Sequence, residues 1–405
     1  MRKQFKTLLS FVLVSVLLLS AVGCSNENPS VIDGSGTATD DGTVTTLPGD
    51  EMTTNPAADT DIREIDYSKK EFSYADFKNT VKDVGRVQET KNGLSIDWGA
   101  SGISFNAACE GDIYMRFATS TGNIYLTIFI DGEVSSRITT KDAERIDITN
   151  KRLKIASNLE KGVHTIEIYR SNGPQVGRFF LRGLEMSGEF LDPPKDQLLI
   201  EFIGDSLSAG VGVYGKSSEP AAEGCKDANE DSLVAYPFLT TRELGCDLTA
   251  TCISGVGLVA GTIGSHYAMT KIYELTSWHR NDTEMWDFRR TADIVVINLG
   301  TNDAGNLFNY GHSIAEFKEA LRTFIATIQA RHPGCKIVWA YGLMTMNFSD
   351  MIQEAITELN GVNGNELYFC ELPQGLDGGG AHPNVENQRA AADVMIEFLK
   401  GIMKE

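Results

Sequence analysis

The sequence predicts two folded parts in series, an all-β jelly roll or sandwich over residues 66–190 and an α/β part over 196–405 built on a parallel sheet. Two patterns predict this. In the first part, short alternating runs such as Leu94–Trp98, Ile113–Phe117, Ile124–Ile130, His164–Tyr169 and Phe179–Leu184 are separated by Gly, Asn and Asp turns. Period-two alternation of that length is the signature of strands with one buried face. In the second, continuous apolar runs alternate with helical segments, the pattern of a parallel sheet covered on both faces. A chain of 405 residues is long enough for two such cores.

Residues 1–23 form an export signal rather than part of the fold. Arg2, Lys3 and Lys6 precede an apolar run from Leu8 to Leu19, which ends in small residues just before Cys24. That ending resembles a bacterial lipobox, with Ala21 in place of the usual leucine, and implies a cell-surface lipoprotein lipidated at Cys24. The alternative is a plain secretory signal cleaved nearby. Residues 24–65 are rich in Ser, Thr, Gly, Asp and Asn, with almost no large apolar side chain before Ile62. They are expected to be a disordered acidic tether. With 36 Lys+Arg against 55 Asp+Glu, the net charge of −19 argues against nucleic acid as a partner. The remaining cysteines match no zinc spacing; Cys252, Cys335 and Cys370 lie in or beside apolar runs and read as buried thiols.

Leu191-Asp-Pro-Pro-Lys195 reads as a rigid linker. Beyond it, strands are expected at Leu198–Ile203, Ile294–Leu299, Ile337–Tyr341 and Leu367–Cys370. Helices are expected at Ser232–Leu244, Ile314–Ala330, Met351–Asn360 and Val385–Met403. Ligands of such sheets bind at the carboxyl ends of the strands. Those ends carry Gly204-Asp-Ser206-Leu207, Ser254-Gly255-Val-Gly257 and Gly300-Thr-Asn302-Asp303, while His382-Pro383-Asn384 precedes the last helix. Serine, a glycine amide, an asparagine amide and histidine supply a nucleophile, two oxyanion donors and a base. Each motif alone reads equally as a turn or a helix cap; their order and placement together point to hydrolysis.

These blocks resemble the SGNH (GDSL-type) hydrolases. With the preceding β-sandwich, Trp286-Asp-Phe288 and Val296-Ile-Asn-Leu-Gly-Thr-Asn-Asp303, they are similar to carbohydrate esterase family 2, from about Val84 to the C-terminus. The resemblance implies a flavodoxin-like catalytic domain and removal of acetyl groups from a polysaccharide or oligosaccharide of the xylan or glucomannan type. It also implies no metal or organic cofactor. Ser206 would be the nucleophile and His382 the base. The backbone N–H of Ser206 and of Gly255 (alternatively Gly257) and the Asn302 amide would form the oxyanion hole. The sequence departs from the SGNH pattern at Gly379, where an Asp usually stands. The nearest acid is Asp377, at most a helper in a flexible glycine run, and a Ser–His dyad oriented by a backbone carbonyl is expected.

Asp205 and Asp303 are expected to brace loops. Trp278, Trp286 and Tyr267 are candidate sugar contacts, Trp98 and Trp339 core, and His266, His279, His312 and His332 surface or loop residues. A monomer is expected, touching the membrane only through its N-terminal lipid. Two other readings are an esterase or lipase acting on acetylated bacterial glycan or lipid, and a surface glycan-binding lipoprotein.

Overall fold

The computed structural model describes residues 65–404, apart from 121–122, 148–149, 263, 265–266, 279–283 and 365. The export signal, Cys24, the tether up to residue 64, His266 and His279 lie outside the described residues.

The first part is an antiparallel network of β1 (Lys69–Ser73), β2 (Val81–Val84), β3 (Val87–Thr90), β4 (Gly93–Ile96), β5 (Gly102–Thr119), β6 (Tyr125–Ile130), β7 (Glu133–Thr139), β8 (Glu144–Arg145), β9 (Lys151–Arg170) and β10 (Phe179–Phe190). The main order is β3-β4-β10-β5-β9-β6-β7, with β1 on β10, β2 on β5 and β8 on β9. Leu94–Trp98 and Ile124–Ile130 fall on the short β4 and β6, whereas Ile113–Phe117, His164–Tyr169 and Phe179–Leu184 are parts of the long β5, β9 and β10, whose register shifts near Gly111 and Gly183 bend them. They enclose a core that includes Phe77, Ile103, Phe105, Phe117, Ile128, Ile168 and Phe179.

The second part is a parallel sheet ordered β12-β11-β13-β14-β15, from β11 (Leu199–Gly204), β12 (Asp247–Cys252), β13 (Ile294–Asn298), β14 (Lys336–Gly342) and β15 (Leu367–Leu372). Alternate side chains serve opposite faces. Ile203, Val295, Ile297 and Trp339 join the core under helices Ile314–Arg331 and Ser349–Leu359. Phe202, Val296, Val338 and Ala340 join the core under Tyr236–Leu244 and Val385–Met403. Trp98 and Trp339 are fully buried, and Cys252, Cys335 and Cys370 are buried free thiols.

One histidine sharpens the sequence reading. His332, expected on the surface or in a loop, does follow the helix Ile314–Arg331 in a loop, but it is buried. Its Nδ1 accepts the Ala292 N–H at 2.9 Å, so Nε2 carries the proton and donates to Glu201 at 2.8 Å. Glu201 also accepts from Thr251 Oγ1 (3.0 Å), Tyr273 OH (3.0 Å) and Arg86 Nη2 (2.9 Å). Arg86 comes from between β2 and β3, so the β-sandwich places a guanidinium beneath the parallel sheet.

Candidate active site

Four segments meet at the carboxyl end of the parallel sheet. After β11, Asp205 caps the short helix Ser206–Ala209 by accepting the Leu207 N–H at 2.9 Å. Ser206 is the first residue of that turn, so its own N–H has no intrahelical acceptor. Ser206 Oγ lies 2.9 Å from His382 Nε2. The other ring nitrogen, Nδ1, lies 3.1 Å from Gly380 O. A carbonyl can only accept, so Nδ1 carries the hydrogen and Nε2 is left free to take the serine proton. Burial lowers the pKa of His382, while the Gly380 and Gly379 carbonyls favour its charged form. The ring is thereby neutral at pH 7 and poised as a base.

The histidine's support is tight rather than flexible. Gly379 N–H donates to Gly212 O and Gly378 N–H to His382 O, both at 2.8 Å. A Cβ on Gly379 would lie 2.2 Å from Gly224 O, and one on Gly212 would lie 2.4 Å from Gly379 O. The glycine run expected to be loose is instead needed for close backbone approach, and Gly380 also adopts φ +61°. Cys225, not singled out from sequence, packs against the same turn, with Sγ 3.3 Å from Gly379 O and 3.7 Å from His382 Nδ1. Asp377 is exposed and turned to the last helix, its carboxylate accepting Asn387 Nδ2 at 3.0 Å.

Asn302 stands in helix Thr301–Asn306, and its amide donates to Val256 O (2.8 Å) and to Asp205 (3.2 Å). Asp303 accepts the N–H groups of Leu258, Val259 and Ala260 at 2.7–2.9 Å, fixing the loop after β12. Gly255 in that loop has φ +80°. Gly257 touches Asp303 so closely that a Cβ there would lie 2.8 Å from its Oδ2. Asp205 is fully buried, and desolvation, reinforced by Asp303, pushes its pKa up to about 7.

The three aromatic candidates do not meet as a sugar platform. Tyr267 is buried, its hydroxyl donating to Ser254 O at 2.8 Å. Trp278 packs edge-on against Tyr267 at 5.4 Å and against the core. Trp286 lies at the amino end of the sheet, lining a cavity with Leu199, Asp247 and His332. β11 alone puts about 20 Å between that end and Ser206, at ~3.3 Å per residue. Trp286 serves the contact between the two parts, with the Arg86 guanidinium over its ring at 5.9 Å, and it also stacks under Arg289 at 4.8 Å. All three aromatics thus have apolar or cation–π partners within the protein.

Residues 202–390 match the GDSL-like Lipase/Acylhydrolase family, and residues 84–194 match the Carbohydrate esterase 2 N-terminal family. The chain is 25% identical over 331 residues to Cellulase/esterase CelE of Acetivibrio thermocellus, covering 76% of this chain but only 38% of that protein. It is 26% identical over 314 residues to an acetylxylan esterase / glucomannan deacetylase of Cellvibrio japonicus, covering 70% of this chain and 83% of that one. In fold it is similar to a family two carbohydrate esterase from Clostridium thermocellum solved in complex with cellohexaose. That likeness has a TM-score of 0.71 and 23% identity, over 80% of this chain and 99% of the other.

Proposed function

We propose that this chain, which joins a GDSL-like lipase/acylhydrolase domain to a carbohydrate esterase 2 N-terminal domain, is an exported esterase that removes O-acetyl groups from polysaccharide of the xylan or glucomannan type. The single observation carrying the reading is the 2.9 Å contact of Ser206 Oγ with a His382 ring whose other nitrogen is held by Gly380 O.

The chemistry follows from those atoms. Ser206 Oγ bonds to the acetyl carbonyl carbon as its proton passes to His382 Nε2, and the carbonyl oxygen becomes an oxyanion. The N–H groups of Ser206 and Gly255 are its backbone donors. Asn302 supplies the third by giving up its longer hydrogen bond, the 3.2 Å one to Asp205. Each donor is worth about 10²–10³ in rate. Collapse of the intermediate breaks the ester bond, and the imidazolium protonates the departing sugar oxygen. Water then adds to the acetyl-enzyme, giving His382 a proton that returns to Ser206 as acetate leaves. Acetylated xylan and glucomannan are the substrates favoured by the name of the Cellvibrio japonicus relative. Export and lipidation at Cys24 rest on the basic and apolar N-terminus.

The test measures acetate released from acetylated xylan, acetylated glucomannan and acetylated peptidoglycan, alongside an aryl acetate. Ser206→Ala and His382→Ala are expected to lose at least about 10⁴-fold in kcat without change in Tm. Aryl acetate is expected to be cleaved much faster than aryl octanoate. Full activity in a folded Ser206→Ala protein would remove the nucleophile assignment, and release from peptidoglycan alone would move the substrate to bacterial glycan.

A further inference from the structure

Cys225 is the one side chain besides Ser206 that the His382 ring nitrogens reach within hydrogen-bonding range among the described residues. It follows the single helical turn Ala221–Gly224, its N–H donating to Ala221 O at 2.9 Å. That turn is held in place by Asn229, whose Nδ2 donates to the carbonyls of Glu223 and Gly224, both at 3.1 Å. The thiol faces two groups at once. Gly379 O, 3.3 Å away, can only accept, so it takes the S–H. The sulfur lone pairs are then left toward Nδ1–H at 3.7 Å, a hydrogen already directed at Gly380 O. Sulfur also fills the space beside the turn: a Cβ on Gly380 would lie 2.4 Å from Sγ.

We infer that Cys225 is a positioning residue for His382, anchoring the Gly379–Gly380 turn through its S–H and sharing Nδ1–H with Gly380 O through its sulfur. This rests on the Ser206–His382 reading above. The place beside Nδ1 is thus occupied by two neutral groups. Burial pushes the Cys225 thiol further up, with the Glu230 carboxyl adding to it, so the sulfur brings no charge to the ring. Glu230 is itself engaged by the Gly173 N–H (3.0 Å) and by Gln175 (2.9 Å). Asp377 is engaged by Asn387. The geometry therefore leaves room for one change in charge at the ring, at position 225.

Cys225→Ala, Cys225→Ser and Cys225→Asp are to be compared on an aryl acetate across pH 4–9. Removal of the anchor is expected to lower kcat about 3- to 30-fold with KM within about twofold, and serine is expected to restore most of it. Aspartate puts a carboxylate beside Nδ1, which stabilises the imidazolium and moves the acid limb of kcat/KM up by about one pH unit or more. The limb's position is independent of the fraction of enzyme folded, so it reads the role even where a variant is less stable. An alanine variant with wild-type kcat, or an aspartate variant with an unmoved limb, overturns the inference. His382→Ala keeps the two readings apart: if it retains activity the dyad itself fails, and if it is dead the Cys225 variants judge the positioning role alone.

Discussion

Glu201 and Asp205 belong to one stretch of chain, four positions apart, and both are buried carboxyls. Their states are opposite. Glu201 faces Arg86 and His332, and despite desolvation its pKa is drawn down to about 2. Asp205 faces Leu207 N–H, the Asn302 amide and a second acid, Asp303, and is pushed up to about 7. What separates these two carboxyls is that a cation reaches Glu201 and none reaches Asp205, because neutral donors only partly replace water. Toward its amino end the parallel sheet uses a paired charge to join its two parts; at the carboxyl end it holds acids without cations beside the reactive groups.

The comparison breaks most visibly at Arg86. Removing the guanidinium leaves Glu201 buried with no strong cation, a change that costs about 3–5 kcal/mol. Arg86→Met is therefore expected to lower urea-unfolding stability by that amount, while kcat per folded molecule stays within about twofold. The pH dependence follows from the lowered pKa. Glu201's contribution is present above its ordinary value of 4.5 and is lost as pH falls toward 2. The Arg86→Met protein should lack most of that acid-side slope. Equal stability of the two proteins would show that the ion pair does not join the parts.

At the other end the sign reverses. Asp205 binds its proton more tightly folded than unfolded, so its contribution is fully present below the ordinary 3.8 and lost as pH rises through about 7. Asp205→Asn is expected to flatten this slope while preserving the helix cap, since Asn caps as well as Asp. Asparagine has one acceptor oxygen, so it can keep Leu207 N–H but not also the Asn302 amide. Loss of that aim is expected to cost about tenfold in kcat, roughly 1.4 kcal/mol of barrier, read on an aryl acetate. An unchanged kcat would separate Asp205 from the oxyanion role proposed for Asn302.

The two ends also differed in how far the sequence disclosed them. The residues proposed to act at strand ends stand in local motifs, so Ser206, Gly255, Asn302 and His382 could be placed by the β-α alternation around them. The final helix, expected at Val385–Met403, has those bounds. The Arg86–Glu201–His332 contact joins positions 115 and 131 apart, which no periodicity registers. Its one available signal was Glu201 itself, a charge inside the apolar run Leu199–Ile203 of a strand covered on both faces. Such a residue requires a partner, and a lone arginine in a turn of the β-sandwich does not announce itself as that partner. Cys225 was hidden for the same reason: its contacts with the His382 turn cross 154 and 157 positions.

The smallest expected effect sharpens the contrast within the active end. Asp377 is the acid nearest to His382 in sequence, which makes it the natural substitute for the aspartate missing at Gly379. Its geometry serves a different purpose. The carboxylate accepts Asn387 Nδ2 at 3.0 Å, and the Asp377 N–H donates to Asn387 Oδ1 at 3.2 Å. The pair ties the loop to the helix that starts at Val385, where Asn384 caps by accepting Asn387 N–H at 2.9 Å. The carboxylate is also exposed, so water screens what charge it directs at the ring. Asp377→Ala thus removes one surface hydrogen bond and leaves Nδ1 on Gly380 O. Its kcat is expected to stay within about threefold of the parent, under 1 kcal/mol of barrier, with the acid limb of kcat/KM unmoved. A folded Asp377→Ala protein as inactive as Ser206→Ala would establish a triad in solution, with the loop closing on the ring when substrate is bound.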